Sequence, residues 1–232
     1  MVRSLTVPYA ASNEWYGRWL LHFAEEGNDM QAILKANAGE ESARGFARTL
    51  IRGADGRETV LSIPVAGGAR ALRDSRKIDE ILLSDHGDWR RVHLGAIEAA
   101  YGRTPFFNHI FPDLKEVYAA PFFTLREFNL AIHKIISSFI LRNITAEDVR
   151  ALKFTASQGC RISSQNPVTS KSLESCGNGG SQKTAVTFLK RIEEVGALIV
   201  PSLSSIDSLM RLGPETLLGL AAGPDDSLMQ HN

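Results

Sequence analysis

Cysteine is scarce: Cys160 and Cys176 are the two in a chain of 232 residues. Two cysteines with no histidine close by cannot complete a tetrahedral zinc site, so no metal centre is expected. The pair can form a disulfide or remain two thiols, and an intracellular chain would keep the thiols. Surplus charge is lacking too, with 26 Lys plus Arg against 26 Asp plus Glu. A chain without net charge, and without a basic cluster interleaved with aromatics, has no general pull toward nucleic acid or anionic lipid. No apolar run reaches 18 residues, which argues against a membrane span. The start, MVRSLTVPYAASNEWYGRW, has no apolar core long enough for a signal peptide. Together these absences predict a cytoplasmic protein. The local signatures CxxC, HExxH and GxGxxG do not occur, nor does a Ser-His-Asp order.

What is present is a core-forming composition, 44% apolar. At this length the chain can bury one large core or two small ones. The most informative stretch is Ile81 to Phe107, ILLSDHGDWRRVHLGAIEAAYGRTPFF. It reads as strand, turn, helix, turn and aromatic pair. The apolar run at Lys77 to Leu83 suits a buried strand. Asp85 and Asp88 stand where a helix needs N–H acceptors, Gly102 suits a left-handed C′ position, and Pro105 prevents continuation. Trp89, His93, Ile97 and Tyr101 recur every four residues and share a face with Val92, Ala96 and Ala100. Arg91 and Glu98 point the other way. A histidine in that apolar stripe is either a general acid or base, or a core side chain with its N–H satisfied.

The run from Ser84 to Phe107, S-D-H-G-D-W-x-x-x-H-x-x-x-I-x-x-x-Y-x-x-x-P-F-F, resembles the WbqC-like family, a bacterial family linked to O-antigen gene clusters. Three further segments resemble it: the arginine-led hairpin of Thr49 to Val65 ending in S-I-P-V, the F-N helix of Phe122 to Ile136, and a closing segment of Pro201 to Leu217. The resemblance spans roughly residues 5–220, interrupted at 145–190. Two departures stand out. Phe46 and Ala47 replace the first Arg and the Asn of the family's R-N-R entry, leaving Arg48, and Pro8-Tyr9-Ala10-Ala11 is a loose form of its N-terminal turn. A site built on that Asn amide would be impaired here.

The rest of the chain fills in around these segments. Ser4 to Val7 reads as a strand, and Ser12 or Asn13 caps a helix through Phe23 with Trp15, Trp19 and Leu20 inward. Gln31 to Ala36 reads as a second strand. Asp55-Gly56 joins two strands, Phe46 to Arg52 and Thr59 to Val65, as a hairpin. Pro105 to Phe111 and Asp113 to Ala119 read as short helical pieces. Thr124 caps a helix through Leu141. Residues 159–182 are Ser-, Gly- and Asn-rich and predict an irregular insert. Gly177 to Thr184 nearly spells a phosphate loop, but Gln182 replaces a required glycine and no strand precedes it. Val186 to Glu194 suits strand or helix. Ser204 or Ser205 caps a helix through Leu212, Gly213-Pro214 breaks it, and 221–232 reads as a flexible tail. The expected fold is α+β (or α/β), a single domain over 1–220 with a mixed β-sheet, packed helices and a helical C-terminal half.

The resemblance implies a role in surface polysaccharide assembly, with glycine or other acyl transfer to a sugar suggested for some members. In such a reaction His93 would be the base, Asp85 its orienter, and Arg48 or Tyr101 the electrostatic partner. His86, Trp89 and Arg90 would bind ligand where the helix begins, an arrangement suited to an anion; ordinary capping by Asp85 is the alternative. Arg48 either clamps a carboxylate or phosphate or is simply exposed. Phe106, Phe107, Phe111, Phe122 and Phe123 form either a sugar platform or core. A cleft is expected where the helix start meets the strand carrying Arg48. The implied partner is a small molecule, with a sugar nucleotide among the candidates; no cofactor is indicated. The alternative is a non-catalytic ligand-binding or assembly protein of the same pathway.

Overall fold

The structure, a computed structural model, describes residues 5–37, 44–73, 75–142, 144–151 and 182–222. Of the expected insert at 159–182 and tail at 221–232, residues 159–181 and 223–232 lie outside these; Gln182 instead opens a helix, and residues 221–222 end one. The class is α+β: packed helices and a small antiparallel sheet share one contiguous core.

Helix α1 (Asn13–Glu26) starts at Ser12, whose side chain accepts from the Trp15 N–H, and ends at Gly27 in the left-handed conformation. It buries Trp15, Tyr16, Trp19 and Leu20. Helix α2 (Asp29–Ala36) occupies the stretch expected as a strand. The Asn28 side chain caps the Gln31 N–H, and Ala32, Ile33 and Ala36 form a buried helical stripe. The helix competes successfully because its cap lies just upstream of the apolar residues, at Asn28.

The hairpin forms with shorter strands than expected, because Phe46 and Ala47 lie in a 3-10 segment (Gly45–Ala47) and Ile63 to Val65 fall outside the second strand. Strand β1 (Arg48–Arg52) pairs antiparallel with β2 (Glu58–Ser62), Arg48 opposite Ser62 and Arg52 opposite Glu58. The sheet is this two-stranded ribbon among the described residues. The other expected strands do not form. At Thr6 and Val7 the carbonyls accept side-chain amides, from Asn37 at 3.0 Å and Asn129 at 2.7 Å, instead of strand partners. Within Lys77 to Leu83, a 3-10 segment (Ser75–Glu80) takes most of the chain. Beyond it, Leu82 and Leu83 make only isolated bridges, to Thr124 and Val65.

After the short α3 (Gly68–Ala71) and the 3-10 segment, helix α4 (Trp89–Tyr101) carries the stripe read from sequence. Trp89, His93, Ile97, Ala100 and Tyr101 are buried, Ala96 is half-buried, and Arg91 and Glu98 are exposed. Val92 is exposed as well, one step off the stripe. The ends differ from expectation. Asp88 makes no capping bond and instead pairs with Arg91. Gly102 has φ −55°, so the helix ends without a left-handed residue. Ile97 is fully buried. Ile97→Val should therefore cost about 0.5–1.5 kcal/mol in chemical denaturation. A change within a few tenths of zero would mean that the stripe is not tightly packed.

Helix α5 (Phe107–Ala119) is one element carrying Pro112 inside it, rather than two pieces. Helix α6 (Leu125–Ile140) opens with a capping box, Thr124 and Glu127 exchanging bonds with each other's backbone. Residues 182–198 resolve the open choice at Val186 to Glu194 as helix α7 (Gln182–Leu198). Helix α8 (Ser205–Leu212) starts at Ser204, and Gly213 breaks it before a 3-10 turn (Gly213–Glu215) and α9 (Thr216–Ala222).

The closing segment is a staple. Ser204 Oγ donates to Ala10 O at 2.8 Å, Ser205 Oγ to Ala11 O at 2.7 Å, and Ser208 Oγ to Asn13 Oδ1 at 2.9 Å. The Ser204 N–H donates to Leu50 O. One helix start thus joins the N-terminal turn to β1.

Candidate functional site

The cleft lined by Arg48 measures about 350 Å³. Its walls come from the N-terminal turn and the start of α1 (Pro8, Ser12, Trp15), from β1 (Arg48, Leu50) and from the loop at Ser202. Behind it, Ala10 holds a left-handed backbone at φ 40°, unusual for a residue with a Cβ. Its carbonyl accepts from both Thr49 Oγ1 and Ser204 Oγ at 2.8 Å, which pins that conformation. The Arg48 side chain is exposed, and no described residue pairs with its guanidinium. Arg48 is the one titratable residue in the described lining.

The other residues proposed from sequence are placed elsewhere. His93 is 4% exposed. Its Nδ1 lies 3.0 Å from the Tyr9 hydroxyl and 3.5 Å from that of Tyr118, and the two phenols hydrogen-bond each other. The ring also hydrogen-bonds the Ser62 carbonyl. The tautomer that satisfies all of this carries its proton on Nε2, with Nδ1 accepting from Tyr9. Burial pushes the imidazole down to about 4, with the Ser62 carbonyl pulling weakly the other way. Such a histidine is neutral and hydrogen-bonded at neutral pH, the core alternative that its position had left open.

Tyr101 is buried at the far end of β1 from Arg48, about 13 Å along the strand. Its hydroxyl accepts the Arg52 N–H at 3.2 Å. Burial, then the Asp207 carboxylate, push its phenol up. Trp89 is buried and donates through Nε1 to Ser84 O at 3.1 Å. Arg90 closes the end of α5, donating to Tyr118 O at 2.8 Å and Ala120 O at 3.1 Å, with its guanidinium over the Trp89 ring. Asp85 and His86 are exposed. The cleft therefore assembles around Arg48 without residues of α4, and the start of α4 is not part of it.

A second polar unit, buried at Tyr16 and His133 and exposed at Asp29, has no local sequence signature. Tyr16 OH lies 2.9 Å from His133 Nδ1, and His133 Nε2 lies 3.1 Å from Asp29 Oδ1, which also accepts from Trp19 Nε1 at 2.8 Å. Trp15, Tyr16 and Trp19 surround the His133 ring. Burial by itself would raise the Asp29 carboxyl; the His133 hydrogen bond and charge, with Trp19, bring it below its ordinary value. These groups tie α1 and α2 to α6. The aromatic residues divide similarly: Phe107 and Phe111 stack in the core, whereas Phe123 is 75% exposed.

The fold and site define a helical α+β protein with an arginine-lined cleft at the root of a small hairpin. A model of the WbqC-like protein family matches residues 42–176, more than half the chain, and the chain belongs to that family. The match takes in the hairpin and helices α4 to α6. No curated protein and no solved structure matches the chain. Among the described residues no helix is long and apolar enough to cross a membrane.

Proposed function

We propose that this protein binds a small-molecule ligand in the Arg48 cleft as a non-catalytic component of bacterial O-antigen or surface polysaccharide biosynthesis. The observation that carries the reading is a guanidinium with no partner among the described residues, at a cleft whose described lining offers no group for proton transfer. Binding needs a charged anchor and shape, and both are present. Catalysis of acyl transfer needs in addition a base within hydrogen-bond reach of the attacking group. His93 is committed to Tyr9 and Ser62, and Tyr101 to the Arg52 N–H. The pathway assignment rests on membership of the family and on the O-antigen link that the resemblance implies.

The second reading is a glycyl or other acyl transferase of the same pathway. The resemblance favours it, and it would require a base from beyond the described lining. Native mass spectrometry separates the two. Incubation with sugar nucleotides, free sugars and acyl donors should give non-covalent adducts that Arg48→Gln loses, with every small molecule recovered unchanged. Appearance of an acylated sugar would overturn the binding reading in favour of the transferase.

A further inference from the structure

We infer that the Arg48 cleft recognises its ligand through a single carboxylate rather than a phosphate or pyrophosphate. This rests on the reading of that cleft as a ligand site, and it narrows the class of ligand.

The first argument is charge. Arg48 is the one charged residue in the described lining. A guanidinium presents two parallel N–H groups that match the two oxygens of a carboxylate, and one positive charge offsets one negative charge. A pyrophosphate would bring a second negative charge into a partly enclosed space with no second cation in that lining to meet it. Among its described residues the lining also carries no carboxylate that could hold a divalent cation against such a ligand.

The second argument concerns backbone donors. Helix α1 opens at this cleft through Ser12 and Trp15, and a helix start can cradle phosphate when its N–H groups are free. Here they are spent. The Asn13 N–H donates to Leu203 O at 2.9 Å, that of Glu14 to Pro201 O at 3.0 Å, and that of Trp15 to Ser12 Oγ at 3.2 Å. The Thr49 hydroxyl is turned inward onto Ala10 O. Bonds within the fold, two of them to the closing segment, have thus occupied the groups that a phosphate would use.

The third is size and wall chemistry. About 350 Å³ is near the small end of ligand sites. Pro8, Leu50 and Val60 give it an apolar wall. That space suits one ring or one amino-acid-sized group carrying the carboxylate, not a nucleotide with its sugar.

The carboxylate could belong to a sugar acid or to an acylated amino acid, so the test carries both. The purified full chain is titrated by calorimetry with sodium glucuronate, sodium N-acetylglycinate, glucose and UDP-glucose. At least one carboxylate should bind, and glucose should bind at least tenfold more weakly than glucuronate if glucuronate is the one. Arg48→Gln should weaken carboxylate binding at least tenfold, and Arg48→Lys should keep part of it; an unchanged thermal melt shows that the variants are folded. Tighter, Arg48-dependent binding of UDP-glucose would overturn the carboxylate inference and leave the ligand site standing. Carboxylate binding that is indifferent to Arg48→Gln, or no binding of any probe, would overturn both.

Discussion

Unfolding free energy should fall by about 3 kcal/mol as pH is lowered from about 6.5 to about 4, through His93 alone. The cause is the difference between its two environments. In the unfolded chain the imidazole titrates near 6.5, and in the fold burial holds it at about 4. Between those values the unfolded state binds a proton that the folded state refuses, so stability rises with pH. The contribution is fully present above 6.5 and is lost as pH falls toward 4. The geometry explains the refusal: a proton on Nδ1 would turn the acceptor of the Tyr9 hydroxyl into a donor, inside a sealed pocket between two phenols.

Urea denaturation at half-unit pH steps measures this. Carboxylates such as Asp29, also held low in the fold, lose their contributions in acid too. The difference between wild type and His93→Gln isolates the histidine. Wild type should be steeper than the variant between pH 4 and 6.5 and parallel to it above 7. Equal slopes throughout would mean that His93 titrates normally in the fold. That result would return it to the role of an accessible base and favour the transferase reading.

The elements legible in the sequence were those whose signals are local. Thr124 marked α6, Ser12 or Asn13 marked α1, Ser204 or Ser205 marked α8, and Asp55-Gly56 marked the hairpin. Each is a cap or turn read within four residues. The failures have one physical source. Whether Thr6 and Val7 form a strand depends on amides at Asn37 and Asn129, and the second is 122 residues from its acceptor. His93 stood out as a polar group in an apolar stripe, but its meaning was set by Tyr9, 84 residues away. The Tyr16–His133–Asp29 chain joins groups up to 117 residues apart, and no spacing rule could have found it. Arg48 was legible as a cation on a hairpin strand. Its cleft was not, because the opposite wall comes from the N-terminal turn and Ser202, held there by serines of the closing segment.

Gly213→Ala should destabilise the fold by about 2–6 kcal/mol, and here the sequence and the structure agree on the place but not on the reason. Gly213-Pro214 was legible as a helix break. The structure adds that Gly213 sits at φ 56° and ψ −130°, a region that a side chain adopts only under strain. That strain accounts for about 1–3 kcal/mol. The remainder comes from space. A Cβ at this position would fall on the Phe106 ring, well inside contact distance. Relief falls to the ring turning about its own side-chain torsions, because the Phe106 backbone is held by its N–H on Met210 O. Overpacking of this kind costs about 1–3 kcal/mol more. The consequence should extend to the cleft, because Gly213 ends the helix whose first residues staple Ala10 and Ala11. Thermal and urea melts of Gly213→Ala give the stability loss, and Phe106→Ala in the same background separates its two parts. If the double variant is no less strained by the glycine replacement than the single one, the ring clash contributes nothing. If Gly213→Ala melts like wild type, the left-handed turn at the end of α8 is wrong.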